Sequence, residues 1–255
     1  MRVIVTRPES EAGRWVDALR TRGFDARSLP LMGIAPVANP SMLQEAWQSL
    51  PRMRAAMFVS GNAARHFLAQ APAGHDWPAL TRAWAPGPGT RQALMDGGVS
   101  AALIDSPPSS AAQFDSETLW QQVSSQLRPG DRVLIVRGGD ALGASSGRDW
   151  LADQLVTAGA QVDLVVAYRR HAPAFNEAQL QEAAGAAAKG DVWVFSSSQA
   201  IAHLRSAMPR QDWSRARAIA THARIAQAAR KAGFGVVCES RPAMDAVVAA
   251  LESFQ

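Results

Sequence analysis

Short apolar runs, small-residue loops and helix-period segments follow one another in a repeating order along the chain. The clearest unit begins with Val133-Leu134-Ile135-Val136, whose β-branched residues predict a strand buried on both faces. Arg137-Gly138-Gly139 stands where this strand is expected to end. Segment 148–155 then carries apolar residues at helical spacing, and segment 162–166 predicts a second strand. The unit is therefore strand, glycine loop, helix, strand.

The same order covers the rest of the chain. Strands alternate with helices, which predicts parallel sheets and an α/β fold class. The other predicted strands span residues 3–5, 25–29, 55–59, 83–85, 99–104, 191–195, 216–220 and 235–238. Two segments, 31–39 and 169–173, are interpreted as crossings between domains. Open parallel sheets bind ligands at the carboxyl ends of their strands, so we expect the site where these strand ends converge.

The two halves of the chain resemble each other in a shuffled order. Three pairs of segments match at offsets of about 130 to 137 residues: 2–7 with 132–137, 58–63 with 195–200, and 83–98 with 218–233. We infer two similar α/β domains, one of them discontinuous, because the short first part of the chain must join the last part. The predicted domains are residues 1–34 plus 173–255 and residues 38–168, with residues 35–37 and 169–172 as the linker.

Composition indicates a globular protein. Of 255 residues, 47% are apolar and 19% are charged, which argues against disorder. No window approaches 18 uninterrupted apolar residues, so we expect no membrane span. Strand-like sequence starts at Arg2, so we also expect no signal peptide. Cys238 is the only cysteine and cannot form an intrachain disulfide. We expect a cytoplasmic monomer.

The basic residues narrow the choice of partner. The formal net charge is +4, and Lys189 and Lys231 are the only lysines among 26 basic residues. Arginine is suited to fork-like recognition of carboxylate or phosphate groups. The chain has no lysine-rich tail and no basic run with interleaved aromatic residues, so no nucleic-acid partner is expected. A small polyanionic ligand fits this composition better.

Nucleotide and metal sites are not predicted. The glycine-containing loop 138–147 lacks the Gly-Lys-Ser/Thr ending of a phosphate-binding P-loop. His66, His75, His171 and His203 lack metal-ligand spacing and are expected to be structural or exposed. We therefore expect neither a nucleotide site nor a metal site.

Several motifs together resemble those of the uroporphyrinogen-III synthase family of porphyrin and heme biosynthesis. They are Val-Thr-Arg-Pro at 5–8, Phe-Val-Ser-Gly-Asn-Ala at 58–63, Gly-Pro-Gly-Thr at 87–90, Arg-Gly at 137–138, Gly-Arg at 147–148, Tyr-Arg-Arg at 168–170, Phe-Ser-Ser at 195–197 and segment 224–234. The resemblance implies two flavodoxin-like α/β domains joined by a two-stranded linker, with the active site in the cleft between them. It also implies a cofactor-free lyase that closes hydroxymethylbilane, a linear tetrapyrrole, by loss of water and inversion of the last pyrrole ring.

This reaction needs a proton donor for the departing hydroxyl group. Tyr168 is the only tyrosine and lies at a predicted crossing, so we assign it as the candidate catalytic residue. The alternative is a core tyrosine whose hydroxyl is satisfied locally. His222 is a further candidate donor.

The acetate and propionate arms of hydroxymethylbilane need groups that bind carboxylates. Three arginines are candidates, although each could instead form a surface or interdomain salt bridge: Arg7, Arg137 and Arg148. Six polar residues in turns before predicted helices could bind the ligand, cap a helix, or do both: Ser60, Asn62, Thr90, Ser197, Ser198 and Thr221. Gly138 and His222 complete the predicted substrate-binding set.

A non-catalytic protein remains the alternative. A two-domain binding or regulatory protein for a small polyanionic ligand would show the same strand-end turns. The product formed from hydroxymethylbilane distinguishes the two, because an enzyme gives the type III isomer whereas spontaneous closure gives type I.

Overall fold

A computed structural model describes residues 1–111, 113–143 and 150–254 of the chain. The chain divides into two compact units. The first unit comprises Met1–Gly33 and His171–Gln255, and the second comprises Ile34–Arg170.

Strands and helices alternate in both units. The strands are β1 (Arg2–Val5), β2 (Asp25–Ser28), β3 (Gly33–Pro36), β4 (Ala55–Phe58), β5 (Arg82–Trp84), β6 (Ile104–Asp105), β7 (Arg132–Gly139), β8 (Gln161–His171), β9 (Val192–Phe195), β10 (Arg217–Ala220) and β11 (Val236–Glu239). The α-helices are α1 (Glu9–Thr21), α2 (Ser41–Ser49), α3 (Gly61–Leu68), α4 (Pro88–Asp96), α5 (Ser116–Val123), α6 (Trp150–Thr157), α7 (Glu177–Lys189), α8 (Ser198–Ala207), α9 (Ala223–Ala232) and α10 (Met244–Glu252). Short 3₁₀ helices span Leu50–Arg52, Ala101–Leu103 and Ser124–Gln126.

The sheet of the first unit is parallel, with strand order β2-β1-β9-β10-β11. Counted along the chain of this unit, the order is 2-1-3-4-5, which is the flavodoxin-like order. The order reverses between β1 and β9, where Val5 lies opposite Val194. Just beyond this point the Thr6 hydroxyl donates a hydrogen bond of 2.8 Å to the Val194 carbonyl oxygen.

The sheet of the second unit has the order β3-β8-β7-β4-β5-β6, and neighbouring strands from β8 to β6 are parallel. Strands β4, β5 and β6 take the places that β9, β10 and β11 take in the first unit. Strands β7 and β8 likewise correspond to β1 and β2. The two units share one strand order with shifted chain connections, in agreement with the inference of two similar α/β domains from the internal sequence matches. The predicted α/β class with parallel sheets is confirmed.

Both faces of each sheet are covered, because successive side chains of a strand point to opposite sides. In β1, Val3 and Val5 join the core that contains Trp15 of α1. Ile4, between them, joins the opposite core with Trp193. This explains why central strands such as β1 and β9 are near-continuous apolar runs instead of alternating patterns.

The second unit is built in the same way around aromatic residues. Phe58 of β4 lies edge-on to Phe67 of α3, with ring centroids 5.6 Å apart. Trp47 of α2 stacks on Phe67, and its indole N–H donates to the Phe67 carbonyl oxygen at 2.8 Å. These contacts anchor α3, whose first turn carries several candidate site residues.

The strands around Arg137 are longer than predicted. β7 continues through Arg137-Gly138-Gly139, where the pattern predicts a loop, and β8 continues to His171 beyond the predicted end at residue 166. Backbone pairing between the two strands persists through an irregularity between Arg137 and Gly138. Partner pairing thus overrides the local preference of the two glycines for a loop.

Segment 31–39, predicted as a crossing between domains, contains the boundary between the two units and also β3, which lies beside β8 at the edge of the second sheet. One other predicted boundary is wrong. Segment 99–104 forms a 3₁₀ turn at Ala101–Leu103, and only Ile104–Asp105 is strand. Helix α5 ends at Val123 and is followed directly by the 3₁₀ helix Ser124–Gln126. Within the described residues, no helix has the length and apolar character needed to cross a membrane.

Candidate functional site

Tyr168 and Ser60 are brought together in the second unit. Tyr168 lies on β8 and is 4% exposed, and Ser60 directly precedes α3. The Tyr168 hydroxyl oxygen lies 3.2 Å from the Ser60 Oγ, close enough for a hydrogen bond. Two predicted site residues separated by 108 positions in the chain therefore meet beyond the carboxyl end of β4.

Ser60 also caps α3. Its Oγ accepts a hydrogen bond of 3.2 Å from the backbone N–H of Ala63. A serine hydroxyl has one proton to donate and two lone pairs. The contact with Ala63 occupies one lone pair, which leaves the Ser60 proton free to point at the Tyr168 oxygen. In that arrangement the Tyr168 proton is available to a ligand.

Gly138 is matched to Tyr168 by close contact. The two residues lie opposite each other in the pairing of β7 with β8. A Cβ atom on Gly138 would lie 2.5 Å from Cζ and 2.7 Å from the hydroxyl oxygen of Tyr168. Only glycine fits beside the phenol ring in this position.

His66 completes this group of side chains. Its ring stacks on the Tyr168 ring, with centroids 5.7 Å apart and planes inclined by 24°. Burial lowers the pKa of His66, and the positive charge of Arg65 lowers it further. His66 is not among the site residues predicted from the sequence, because no local pattern in α3 indicates contact with a tyrosine on β8. We call Ser60, His66, Gly138 and Tyr168 the tyrosine cluster.

Asn62, Thr90 and Arg137 are buried neighbours of the strand ends in the same unit. They are 8%, 6% and 4% exposed, respectively. Asn62 lies within the first turn of α3, and its Oδ1 accepts a hydrogen bond of 3.0 Å from Arg65. Thr90 lies within the first turn of α4, for which Gly87 is the N-cap. Asn62 and Thr90 are therefore inside helices, and the predicted placement in turns before them is wrong.

Polar residues of the first unit lie at the starts of α8 and α9. Ser197 caps α8 by accepting a hydrogen bond of 3.2 Å from the Gln199 N–H, whereas Ser198 is the exposed first residue of that helix. Thr221 is buried. His222 caps α9, because its Nδ1 accepts a hydrogen bond of 3.1 Å from the Arg224 N–H. A ring nitrogen that accepts carries no proton, so the proton of a neutral His222 lies on Nε2.

Arg7 has partners within its own unit. Its guanidinium forms an ion pair of 3.0 Å with Glu11 one helical turn ahead. The guanidinium carbon also lies 4.1 Å from the ring centroid of Trp15. Burial lowers the pKa of Arg7, while Glu11 opposes this effect. Arg7 therefore forms a salt bridge that is mostly buried and lies within its own unit, whereas the predicted alternative is a surface or interdomain salt bridge.

Arg148 lies outside the described residues. Within the described residues, no group of three or more His, Cys, Asp or Glu side chains is arranged to hold a metal ion.

Comparison with known sequences identifies related proteins. The model of the family described as uroporphyrinogen-III synthase HemD matches residues 13–249 of the chain. The uroporphyrinogen-III synthase of Salmonella typhimurium is 29% identical over 240 residues, and that of Escherichia coli is 28% identical over 239 residues. Each alignment covers 92% of this chain and 92% of the relative.

Solved structures show the same fold. A mutant uroporphyrinogen III synthase from Thermus thermophilus superposes with a TM-score of 0.59 at 16% identity, covering 99% of this chain and 98% of the other. The uroporphyrinogen-III synthetase of Helicobacter pylori gives a TM-score of 0.57 at 14% identity, with all of both chains covered.

Proposed function

Because the chain belongs to the uroporphyrinogen-III synthase family, a family of lyases in porphyrin and heme biosynthesis, we propose how this chain performs the reaction. Its substrate is hydroxymethylbilane, which loses its terminal hydroxyl group as water. The chain of four pyrroles then closes with inversion of the last ring, and uroporphyrinogen III is formed. We propose that the enzyme works as a cytoplasmic monomer without a cofactor or nucleic acid.

The substrate itself supplies the electrons that expel the hydroxyl group. The leaving group is attached to a carbon next to a pyrrole, whose nitrogen lone pair pushes electron density toward that carbon. The protein must then donate a proton to the departing oxygen, hold the chain in a ring-forming shape, and keep water away from the cationic carbon.

The contact between Tyr168 and Ser60 is the observation that carries the proposed mechanism. The Ala63 N–H donates to Ser60. We propose that Ser60 in turn donates to the Tyr168 oxygen, which lies 3.2 Å away, and that the Tyr168 proton is given to the leaving hydroxyl. The series starts at the N-terminal turn of α3, where the helix dipole is positive, so every donor in it is polarised toward the substrate. Tyr168 is therefore the proposed proton donor.

Binding of the carboxylate arms is proposed for groups at the strand ends. Arginine forks and helix N-termini both recognise carboxylates. We propose the following contributors: Arg7, Ser60, Asn62, Thr90, Arg137, Gly138, Arg148, Ser197, Ser198, Thr221 and His222. We further propose that the two compact units are the two domains of the enzyme.

Isomer analysis tests this function. The purified full-length chain is supplied with hydroxymethylbilane, and the porphyrinogens are oxidised and separated by chromatography. We expect the type III isomer in excess over the spontaneous type I isomer. Formation of the type I isomer alone, at the rate seen without protein, would contradict the proposal and favour a non-catalytic binding protein.

The variant Tyr168→Phe tests the proton donor. It keeps the ring and removes only the hydroxyl group. We expect kcat to fall about 100-fold, which lies within the usual contribution of a general acid, with little change in KM. Turnover at the wild-type rate would exclude Tyr168 as the donor.

A further inference from the structure

The ring of His66 contacts the ring of Tyr168, and no local sequence pattern predicts this contact. The hydrogen bond to Ser60 holds only the hydroxyl end of Tyr168. A phenol held at one end can still turn about its side-chain bonds, and the proton of its hydroxyl moves with it. Packing contacts with the phenol ring itself are needed to fix the direction in which the hydroxyl group points.

Two such contacts are present. Gly138 lets the β7 backbone approach the phenol, and His66 stacks on the ring at a centroid distance of 5.7 Å. Offset stacking of two aromatic rings is favourable over centroid distances of about 4.5 to 7 Å. Ser60, Gly138 and His66 together restrict the hydroxyl end and the ring of Tyr168.

The internal duplication provides an independent comparison. His66 and His203 are separated by the same 137 residues as the matched segments 58–63 and 195–200, so His203 of α8 is the counterpart of His66. His203 also contacts the chain near the end of the equivalent strand. Its Nδ1 lies 2.8 Å from the carbonyl oxygen of Leu31, which follows β2. In the first unit this histidine binds backbone, whereas in the second unit the corresponding histidine faces an aromatic side chain. Both histidines therefore contact the chain near the end of the corresponding strand. His203 contacts a backbone carbonyl group there, whereas His66 contacts the ring of Tyr168.

We propose that His66 is a positioning residue that holds the Tyr168 ring in the orientation required for proton donation. This inference rests on the proposed function of Tyr168. Burial keeps the pKa of His66 below its ordinary value, so the stacked ring is the neutral imidazole at pH 7. His66 itself transfers no proton in this proposal.

The single tyrosine of the chain makes the proposal directly measurable. Labelling with tyrosine enriched in ¹³C at the ε positions gives NMR signals from Tyr168 alone. The full-length variants His66→Ala, His66→Leu and His66→Phe are compared with wild type by these signals and by kcat and KM for type III isomer formation. His203→Ala serves as the matched control, because it removes the equivalent histidine from the other unit.

We expect His66→Ala and His66→Leu to shift or broaden the Tyr168 signals and to lower kcat about tenfold with KM unchanged, since small displacements of a reacting group are costly. His66→Phe restores a flat ring and is expected to bring kcat back to within about threefold of wild type. His203→Ala is expected to leave the Tyr168 signals in place.

Two results would overturn the proposal. One is a kcat in His66→Leu as high as that in His66→Phe, which would show that His66 only fills space and that its flat ring is not required. The other is an unchanged Tyr168 signal in all His66 variants. The Tyr168 signals could respond as expected while the wild-type protein forms no type III isomer. That result would support the ring contact and contradict both the proposed function and the positioning role of His66. Should His66→Ala not fold, the comparison of leucine with phenylalanine still decides the question.

Discussion

The hydroxyl oxygen of Tyr168 lies 3.2 Å from the Oγ of Ser60, and the same Oγ accepts the N–H of Ala63 at the start of α3. The Ser60 hydroxyl group therefore caps the helix as an acceptor and can donate a hydrogen bond to the tyrosine. Capping depends on its oxygen and donation on its proton, so substitutions can separate the two roles.

Replacement of Ser60 by aspartate should preserve the fold and impair the reaction. Aspartate caps helices about as well as serine, so we expect the free energy of unfolding to change by less than about 0.5 kcal/mol. An ionised carboxylate cannot donate to the Tyr168 oxygen and would accept the phenol proton instead. We expect kcat to fall about tenfold, the value of one lost hydrogen bond. Urea denaturation and steady-state kinetics measure the two effects.

Threonine and alanine at position 60 serve as controls. Ser60→Thr keeps both the cap and the donor and should retain most of the activity. Ser60→Ala loses both and should also lose about 1 kcal/mol of stability. Wild-type kcat in Ser60→Asp would show that the donor role is not needed.

A methyl group at Gly138 should displace Tyr168. The Cβ atom would lie 2.5 Å from the Tyr168 Cζ, well inside van der Waals contact. Either the ring or strand β7 must move, and overpacking of this kind typically costs about 1 to 3 kcal/mol. We expect Gly138→Ala to lower the urea midpoint and to reduce kcat by more than its loss of folded protein explains.

Gly185→Ala is the control for this substitution. Gly185 lies within α7, and a Cβ atom there would meet nothing within 4 Å. The control should raise stability by about 0.5 to 1 kcal/mol because alanine favours helix over glycine. If Gly138→Ala behaved like Gly185→Ala, the close packing against Tyr168 would be wrong.

The sequence predicts the architecture well because the relevant signals are local. Apolar runs such as Val133-Leu134-Ile135-Val136 identify buried strands, and helix ends such as Gly190 and Gly233 do adopt the left-handed backbone expected of a C-terminal glycine. The internal matches also predict two similar domains, and the two units do share one strand order. Each of these signals lies within a few residues or recurs at a regular offset.

The tyrosine cluster is only partly predictable because its contacts join distant parts of the chain. The motifs identify Tyr168 and Ser60 separately, but no local pattern shows that they meet. Gly138 has the sequence pattern of a loop glycine, whereas it lies in a strand and leaves room for Tyr168. His66 shows no helical pattern that distinguishes it from an exposed residue. Such contacts require the register between β7 and β8, which the sequence does not supply.

The ion pair between Arg7 and Glu11 should contribute to stability. The two side chains are 12% and 18% exposed, so water screens their interaction poorly. Glu11→Gln would leave the Arg7 charge without this carboxylate, and we expect a loss of about 2 kcal/mol, typical of a hydrogen bond to a charged group. The urea midpoint of the full-length chain measures the loss.

An exposed ion pair of the same unit provides the comparison. Arg22 and Asp245 are also 3.0 Å apart, but their side chains are 40% and 92% exposed. We expect Asp245→Asn to change stability by less than about 0.5 kcal/mol, as is usual for surface pairs. Equal losses in the two variants would argue against the role assigned to burial at Arg7.

The lowered pKa of His66 predicts a loss of stability in acid. Burial disfavours the charged imidazole in the folded protein, and the neighbouring Arg65 charge acts in the same direction. As pH falls through the ordinary pKa of about 6.5, the unfolded chain takes up the proton before the folded chain does. The folded state therefore loses stability from about pH 6.5 down to the lowered pKa, and below that value this residue causes no further change. Above about pH 7.5 the residue is neutral in both states and has no effect on the pH dependence.

His66→Phe removes this titration and keeps an aromatic ring against Tyr168. Urea midpoints of wild type and variant, measured between about pH 5 and pH 8, should run in parallel at the alkaline end. They should diverge in acid, where the wild type loses stability that the variant retains. Other carboxylates and histidines contribute equally to both proteins, so the difference between the two curves isolates His66 from them. A constant difference over the whole range would mean that His66 has the same pKa in the folded and unfolded chains. The lowering of its pKa by burial in the folded protein would then be wrong.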